Sequence, residues 1–174
     1  MIRKARPSDL DSIVDIYDAI FRREEKSGQR YTNWQRGLYP TRDTARKAGK
    51  AGTLYVDERG GDIAAAVNLN QIQPREYGDI PWTIPAKPEE VLVIHTLAVH
   101  PVIAGRGLGR QFVAFAEGLA AGMGCKVVRL DTYEGNRPAR AFYEKLGYHL
   151  AGCAPFHFEG VLDETLACFE KELS

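Results

Sequence analysis

A β-rich run followed by a glycine-rich turn decides the fold of this chain. Residues 91–110 have the sequence VLVIHTLAVHPVIAGRGLGR, and residues 126–132 have the sequence KVVRLDT. The apolar run 91–99 predicts a central strand, and KVVRLDT predicts a second buried strand. Apolar residues spaced by three and four predict a helix between them: Leu108, Phe112, Phe115, Leu119 and Met123. A strand, a helix and a strand in that order form a right-handed unit with parallel strands in nearly all proteins.

The rest of the chain predicts hairpins and helices around this unit. Ile2–Ala5 predicts a short first strand, after which Ser8 is expected to cap a helix with one apolar face up to Phe21. Thr41 is expected to cap a second helix that ends near Lys50. The remaining predicted elements are strands at Thr53–Asp57, Ile63–Leu69, 148–158 and 164–173, and a helix at Arg137–Leu146. We therefore expect an α/β fold with a mixed sheet covered by helices in a single domain, residues 1–174.

Composition and charge exclude several classes of protein. The chain has 174 residues, of which 44% are hydrophobic, a fraction that is too high for a disordered chain. Its 23 Lys and Arg residues balance 23 Asp and Glu residues, which argues against a generic nucleic-acid binder. The longest apolar stretch is far below the roughly 18 residues that a membrane helix needs. We expect neither a nucleic-acid partner nor a membrane partner.

The cysteines and the start of the chain predict a reduced cytoplasmic protein. The three cysteines, Cys125, Cys153 and Cys168, are an odd number and have no Cys-x-x-Cys spacing. A disulfide framework and a structural zinc site are therefore not expected, and we predict no metal. Acidic residues interrupt the first apolar residues, so that no continuous apolar segment of a secretion signal is present.

The segment AGRGLGR, residues 104–110, predicts an anion site. Glycines at alternate positions allow main-chain N–H groups to converge, and the start of a helix adds its positive dipole end. Arg106 and Arg110 add positive charge, so a phosphate or a diphosphate is the expected ligand. The segment lacks the Gly-Lys-Ser/Thr ending of a nucleotide-triphosphate loop, and its third glycine comes one residue too early for a dinucleotide fingerprint. A strand-to-helix turn without a ligand remains an alternative.

Two motifs at fixed spacing within about residues 91–150 resemble the GNAT acyltransferase superfamily. The family's loop has the pattern Gln/Arg-x-x-Gly-x-Gly/Ala. Here both key glycines match, and Ala104 replaces the leading Gln/Arg, which is expected to weaken one polar contact and to leave the main-chain cradle intact. The second signature is matched by Asn136, Phe142, Tyr143, Lys145, Gly147 and Tyr148. The resemblance implies a GNAT-like, mostly antiparallel sheet of about six to seven strands with one splayed parallel pair, flanked by about four helices.

The resemblance also implies the co-substrate and its binding residues. Family members bind acetyl-CoA or another acyl-CoA. The implied contacts of its thioester and pantetheine arm are main-chain groups of Leu97, Ala98 and Val99, with Asn136 on the other side. The implied contacts of its diphosphate are main-chain amides of Gly105, Arg106, Gly107, Leu108, Gly109 and Arg110. Arg140 and Lys145 are candidate neighbours of the remaining phosphates, with solvated helix charge as the alternative.

The implied reaction is N-acetylation of a primary amine by direct attack in a ternary complex. Tyr143 matches the family position that protonates the leaving thiolate, and a phenol is able to act as a general acid. His95 lies where some relatives that resemble serotonin acetyltransferases carry a histidine that accepts the proton through water, and imidazole suits this task. A core histidine that bonds to the backbone is the alternative for His95, and many relatives use a water chain. His100, Asp131 and Glu134 are weaker candidates.

The acceptor is expected to be a small-molecule or amino-acid-like amine. In this family the acceptor pocket is built from segments that correspond here to residues 22–40, 70–90 and 153–163. Their aromatic residues are Tyr31, Trp34, Tyr39, Tyr77, Trp82, Phe156 and Phe158, and their candidate partners for a cationic amine are Glu89, Glu90 and Glu159. We take Trp34, Tyr77, Trp82 and Glu90 as the substrate candidates. Packing of these aromatics without a ligand is the alternative.

The sequence leaves other classes of function open. A protein N-terminal or lysine acetyltransferase would use the same fold. An acyl-CoA sensor or interaction module would keep the cofactor cleft and would not need a phenol at position 143. A nucleotide-binding protein would prefer ATP to CoA. The sequence leaves the acceptor, the acyl length and the oligomeric state undetermined, although a homodimer is consistent with the resemblance.

Overall fold

A computed structural model describes residues 1–158 and 162–174 of the chain. The described residues form seven β-strands, four α-helices and four short 3₁₀ turns. In chain order the strands and α-helices are β1 (Ile2–Lys4), α1 (Leu10–Ser27), α2 (Arg42–Lys50), β2 (Leu54–Arg59), β3 (Asp62–Asn70), β4 (Val91–Val99), α3 (Leu108–Gly122), β5 (Val127–Tyr133), α4 (Arg137–Lys145), β6 (His149–Phe158) and β7 (Leu162–Glu172). The 3₁₀ turns are Pro7–Asp9, Arg75–Asp79, Pro88–Glu90 and Pro101–Ile103.

The described strands form one mixed sheet in the order β1-β2-β3-β4-β5-β7-β6. Val91–Ile94 of β4 pair in parallel with Val127–Leu130 of β5, and this is the only parallel pair among the strands described. β5 and β6 both pair antiparallel with β7. The predicted mixed, mostly antiparallel sheet with one parallel pair is confirmed.

The contacts divide the described chain into two compact units. The first contains Met1–Gln29, Trp34–Leu69 and His95–Phe115. Its core packs apolar residues of α1 and α2, including Ile13, Ile16 and Ala45, against Val56 of β2 and Ala98 of β4. The apolar face of α1 at intervals of three and four residues produces this packing.

The second unit contains Arg30–Asn33, Asn70–Ile94 and Ala116–Ser174. Its core combines strand residues such as Val93, Val127 and Leu166 with Tyr77 and Ile80 from the long segment before β4. That segment lies closely on β6, because a Cβ placed on Gly152 would lie 3.0 Å from the Pro81 side chain. The predicted single domain is not tested by this division and stays a prediction.

The start of α1 corrects one prediction. Ser8 does not cap this helix, because Pro7–Asp9 form a 3₁₀ turn and α1 begins at Leu10. The Asp9 carboxylate accepts the Arg6 N–H at 2.6 Å and the Arg3 guanidinium at 2.7 Å. The Arg3 pair lowers the pKa of Asp9. A tertiary ion pair thus replaces the local cap that the sequence predicts.

The end of α1 also differs from the prediction, because the helix continues to Ser27, six residues past Phe21. The other predicted boundaries agree with the structure to within two residues. The Thr41 cap is present, since its side-chain oxygen accepts the Thr44 N–H at 3.3 Å. Gly60 and Gly61 form the turn that joins β2 to β3, with φ angles of 60° and 93°. Among the helices described, none is long and apolar enough to cross a membrane.

Candidate active site

Two glycines of the loop between β4 and α3 adopt backbone angles that other residues rarely adopt. The φ angles are 85° at Gly105 and 81° at Gly107, both in the left-handed region. Apart from the glycine and its two chain neighbours, none of the described residues has an atom within 4 Å of a Cβ placed on either glycine, so open space adjoins the loop there. The third glycine of the motif, Gly109, has ordinary helical geometry within the first turn of α3.

The loop presents main-chain N–H donors at the start of α3. The first bond of this helix runs from the Gln111 N–H to the Gly107 carbonyl at 3.0 Å. The preceding N–H groups therefore have no acceptor within the helix, and the positive end of the helix dipole lies beside them. The side chains of Arg106 and Arg110 are exposed on either side. This arrangement is suited to a phosphate or diphosphate ligand.

The end of β4 departs from regular strand geometry. Its parallel ladder with β5 ends at Ile94, and Thr96 has a φ of 51°. Left-handed geometry is unusual for a β-branched residue and disturbs the alternation of main-chain N–H and C=O groups along a strand. Leu97, Ala98 and Val99 follow directly, and the half-buried His95 precedes Thr96. Residues 97–99 and the glycine loop both belong to the first compact unit.

The predicted residues of α4 lie in the second unit. Asn136 caps α4, because its Oδ1 atom accepts the Ala139 N–H at 3.1 Å. Arg140 donates to the Glu134 carbonyl at 3.1 Å, and Lys145 is exposed in the last turn. The Asn136 side chain thus has its carbonyl oxygen engaged, while its amide protons take part in no hydrogen bond of the described residues. Their contacts with a cofactor stay predictions.

Tyr143 is buried on α4, with 7% of its surface exposed. Its ring packs against Phe142, Tyr148 and Phe169. Burial, together with the negative charge of Asp131, raises the pKa of Tyr143 above its ordinary value near 10. The phenol therefore keeps its proton at neutral pH, which is the state that a hydrogen-bond donor or general acid requires.

A pair of carboxylates in the second unit has a perturbed ionisation. The Tyr77 hydroxyl donates to the Asp131 Oδ2 atom at 2.8 Å, and burial raises the pKa of Asp131 to about 6. The Asn33 amide donates to the Glu164 Oε2 atom at 2.9 Å. Burial raises the pKa of Glu164, and the charge of Asp131 adds to the effect. Clusters of this kind often belong to functional sites.

Sequence reasoning missed Glu164. The alternation of Glu164, Leu166 and Cys168 along β7 could have indicated it, because Cys168 lies opposite Asp131 in the antiparallel ladder. Residues two and four positions along a strand share a face, so Glu164 and Asp131 project from the same side of the sheet.

The predicted substrate residues are all engaged in contacts within the described structure. Tyr77 is 3% exposed and packs its ring on Trp82 and Phe156. The Trp82 ring also lies 4.2 Å from the Arg129 guanidinium. Trp34 makes edge contacts with Tyr17 and Tyr39 in the first unit. Glu90 forms a 2.7 Å ion pair with Lys126. Contact of these residues with an acceptor stays a prediction.

Two further candidates are not covered by the structure. Glu159 lies outside the described residues, and the Phe158 side chain is likewise not described. The described part of the chain contains no group of three or more His, Cys, Asp or Glu side chains that is able to hold a metal ion.

Comparison with known proteins identifies similar sequences. A family model described as the acetyltransferase (GNAT) family matches residues 10–148. An uncharacterized N-acetyltransferase of Methanocaldococcus jannaschii is 26% identical over 147 residues, which cover 84% of this chain and 59% of that protein. The chain thus spans less than two thirds of this relative. The uncharacterized N-acetyltransferase YesJ of Bacillus subtilis is 27% identical over 174 residues, which cover 98% of this chain and 90% of that protein.

Solved structures share the fold at low sequence identity. A GNAT-family acetyltransferase from Streptococcus agalactiae aligns over 100% of this chain and 95% of its own, with a TM-score of 0.81 and 24% identity. The structure of yncA from Salmonella typhimurium with its cofactor acetyl-CoA aligns over 100% of this chain and 94% of its own. Its TM-score is 0.70 and its identity 16%. At these identities the likeness establishes the fold alone.

Proposed function

The chain belongs to the GNAT acetyltransferase family, and we propose that it transfers the acetyl group of acetyl-CoA to the primary amine of a small molecule or amino-acid-like acceptor. The amine attacks the thioester directly in a ternary complex. Acetyl-CoA, the co-substrate of the family, supplies an activated acyl group and a thiolate leaving group. No metal takes part in this proposal.

The loop between β4 and α3 is the observation that carries the proposal. Gly105 and Gly107 have left-handed geometry, open space beside them and helix-start N–H groups next to them. These donors match the oxygens of a diphosphate, and a side chain at either glycine would strain the loop. We assign the amides of 105–110 to the diphosphate, with Arg106, Arg110, Arg140 and Lys145 as cationic neighbours. Asn136 is assigned to the pantetheine arm.

Main-chain groups at the end of β4 are assigned to the thioester. As the amine attacks, negative charge develops on the thioester oxygen, and N–H donors held in place by the fold stabilise that charge. Thr96 has left-handed geometry, and the parallel ladder of β4 with β5 ends before it, at Ile94. We assign one or more of the N–H groups of 97–99 to the oxygen.

Tyr143 is assigned to the leaving thiolate. A thiol has an ordinary pKa of about 8.5, below the value of about 10 for a phenol, so complete transfer of the phenol proton to the thiolate is uphill. The raised pKa of Tyr143 increases that difference. The role that fits best is therefore donation of a hydrogen bond, which stabilises the sulfur as its charge develops.

The amine has to lose a proton. A free alkyl amine resembles lysine, with a pKa of about 10.4, and is mostly protonated at pH 7. His95, acting through water, is our first assignment for the proton acceptor, and a water chain without a histidine is the alternative. Asp131, with its pKa of about 6, is able to accept a proton above that pH and to attract the cationic acceptor.

The charges of the second unit favour a cationic acceptor. The Asp131 and Glu164 carboxyls project from one face of the sheet, beside the aromatic rings of Tyr77 and Phe156. Carboxylates with an aromatic wall favour a small amine with an apolar or aromatic body.

We also assign the protein to the cytoplasm, and its three free cysteines support a reducing compartment.

A thiol-release assay tests this function. The protein is mixed with acetyl-CoA and with a panel of small primary amines, and free CoA thiol and the acetylated product are measured. We expect both in equal amounts for at least one amine. Peptides with a free N-terminus or a lysine form a second panel, and reaction with peptides alone would contradict a small-molecule acceptor. Binding of acetyl-CoA without turnover would favour a sensor, and preference for ATP over CoA would exclude the assignment of the loop.

A further inference from the structure

Thr96 is held in a backbone conformation that its side chain disfavours. It lies within β4 and has a φ of 51°, one of two positive values among the described residues other than glycine. A branched Cβ crowds the carbonyl oxygen in this region, so that a threonine persists there only when its surroundings hold it. Such positions are frequent where the backbone serves a functional site.

One hydroxyl from outside the sheet reaches Thr96. The Tyr39 hydroxyl and the Thr96 Oγ1 atom are 2.5 Å apart, and either group is able to donate. Both residues belong to the first compact unit. The bond joins a side chain of the loop before α2 to the strained residue of β4.

Tyr39 is itself held by its surroundings. Its N–H donates to the Gln35 carbonyl at 3.0 Å, and its carbonyl accepts the Gln35 N–H at 3.1 Å. Its ring lies at right angles to Trp34, with 6.3 Å between ring centres, and Trp34 in turn meets Tyr17 of α1. Tyr17 is 3% exposed. The hydroxyl at the end of this row of rings is thus anchored to the core.

We propose that the Tyr39 hydroxyl holds Thr96 in the left-handed conformation and so directs the main-chain N–H groups of 97–99 toward the carbonyl oxygen of the bound thioester. Tyr39 is then a positioning residue, which acts on the reaction through Thr96. The inference rests on the proposed function, because it assigns those N–H groups to acetyl-CoA.

The two ligands acetyl-CoA and CoA separate this role from a general effect on folding. They share the diphosphate and the pantetheine arm, and only acetyl-CoA has the thioester carbonyl. Contacts of 97–99 with the shared pantetheine arm affect both ligands alike. Loss of the N–H groups aimed at the carbonyl therefore weakens acetyl-CoA binding more than CoA binding. A variant that merely loosens the fold weakens both.

The test measures the dissociation constants of both ligands by titration calorimetry. For Tyr39→Phe, we expect that of acetyl-CoA to rise about five- to tenfold and that of CoA to change less than about twofold, as for the loss of one or two hydrogen bonds. Thr96→Val keeps the branched side chain and lacks the hydroxyl, so it should reproduce this result. The two substitutions together should have no larger effect than either alone. For acetyl transfer, kcat should fall in parallel.

Thr96→Gly provides a rescue. Glycine adopts positive φ without the Cβ penalty, so that the Tyr39 hydroxyl is no longer needed. In the Thr96→Gly background, Tyr39→Phe should change the acetyl-CoA affinity less than about twofold. The matched control is Tyr17→Phe, which removes a hydroxyl from the same row of rings and should leave the affinity ratio unchanged. Circular dichroism and the melting temperature establish that each variant is folded.

Several outcomes would overturn the inference. The first is an equal rise of both dissociation constants in Tyr39→Phe. The second is an effect of Tyr39→Phe on acetyl-CoA affinity that is just as large in the Thr96→Gly background. The third is the same change in the ratio of the two dissociation constants in Tyr17→Phe. If no amine is acetylated while acetyl-CoA binds, the proposed function fails, and the affinity ratio still decides the role of Tyr39. If acetyl-CoA does not bind the wild-type chain, both fail.

Discussion

Tyr143 shows how a single side chain can be prepared for one protonation state. Its ring is enclosed by three other aromatic rings, and the hydroxyl takes part in no hydrogen bond among the residues described. Burial of a phenol disfavours the charged phenolate, and a nearby carboxylate adds to this effect. The group is therefore a stable proton donor over the whole physiological pH range.

We expect Tyr143→Phe to lower kcat for acetyl transfer about 10- to 100-fold. This is at or below the lower end of the range for loss of a general acid, because the hydroxyl donates a hydrogen bond without complete transfer of its proton. The acetyl-CoA dissociation constant should change less than about threefold, because the ring remains in place. Thiol release and calorimetry measure the two quantities. Tyr55→Phe, which removes another buried hydroxyl whose pKa burial raises, is the control. Equal losses in both variants would exclude a specific role for Tyr143.

At the scale of elements, the start of α3 depends on backbone geometry that only glycine adopts without strain. Gly107 precedes the helix with a φ of 81°, whereas Gly118 lies inside the helix with an ordinary φ. The same substitution should therefore have opposite effects at the two positions.

Gly107→Ala should lower the free energy of unfolding by about 1 kcal/mol, because a left-handed alanine is strained. It should also weaken acetyl-CoA binding at least tenfold, because the loop amides are displaced. Gly118→Ala should raise the free energy of unfolding by about 0.5–1 kcal/mol, since alanine favours a helix interior. Urea unfolding and calorimetry measure both effects. Unchanged acetyl-CoA binding in Gly107→Ala would contradict the assignment of the loop.

The segment between β3 and β4 is attached to the second unit through a buried ion pair. Arg129 and Glu170 are 5% and 0% exposed, and their nearest charged atoms are 3.5 Å apart. The Glu170 Oε1 atom accepts the N–H groups of Thr83 and Ile84, and Arg129 donates to the Ile84 carbonyl. Strand residues thus hold this long loop, which sequence reasoning treated only as a candidate acceptor wall.

Arg129→Met should destabilise the chain by about 3–5 kcal/mol, because it leaves the buried Glu170 charge without its arginine partner. Lys171→Met breaks the more exposed pair with Glu117 and should cost no more than about 1 kcal/mol. Urea unfolding compares the two variants, and limited proteolysis should cut the Arg129→Met variant first within 70–90. Similar losses of stability in both variants would show that burial of the pair does not matter.

At the scale of the whole molecule, the net charge is zero, yet individual carboxyl groups have pKa values shifted in opposite directions from their ordinary values. The Arg3 pair lowers the pKa of Asp9, whereas burial raises that of Asp131 to about 6. A carboxyl with a raised pKa keeps its proton in the folded chain at a pH where the unfolded chain has lost it. Its contribution to stability is therefore complete below about pH 4 and is lost as the pH rises through about 6.

Asp131→Asn should remove the loss of stability at rising pH, because the amide is neutral at every pH. Its oxygen still accepts a hydrogen bond from the Tyr77 hydroxyl. Between pH 4.5 and 7.5 the stability of the variant relative to wild type should rise by about 1–2 kcal/mol. Urea unfolding at intervals of pH measures the difference. Parallel curves for the two proteins would show that the Asp131 pKa is not raised.

The order of strands and helices follows from the sequence alone, and so does the position of the glycine turn. Hydrophobic spacing is a local property, and the runs 91–99 and 108–123 are long enough to specify their own structure. The requirement for glycine at 105 and 107 is likewise local, because it concerns the chain's own Cβ atoms. Local features of this kind are sufficient to locate the candidate cofactor loop along the chain.

Contacts between different elements decided the rest. Three contacts show this: the Arg3–Asp9 pair that replaces the Ser8 cap, the Tyr39–Thr96 hydroxyl bond, and the Tyr77–Asp131 hydrogen bond. The burial that raises the pKa of Asp131 is likewise a product of folding. Sequence spacing carries no information on such pairs, because their free energy depends on burial and on distances that exist only after the chain has folded. The sequence therefore determined which elements form and where the candidate anion loop lies, and the tertiary structure alone decided which side chains are strained, paired or held neutral.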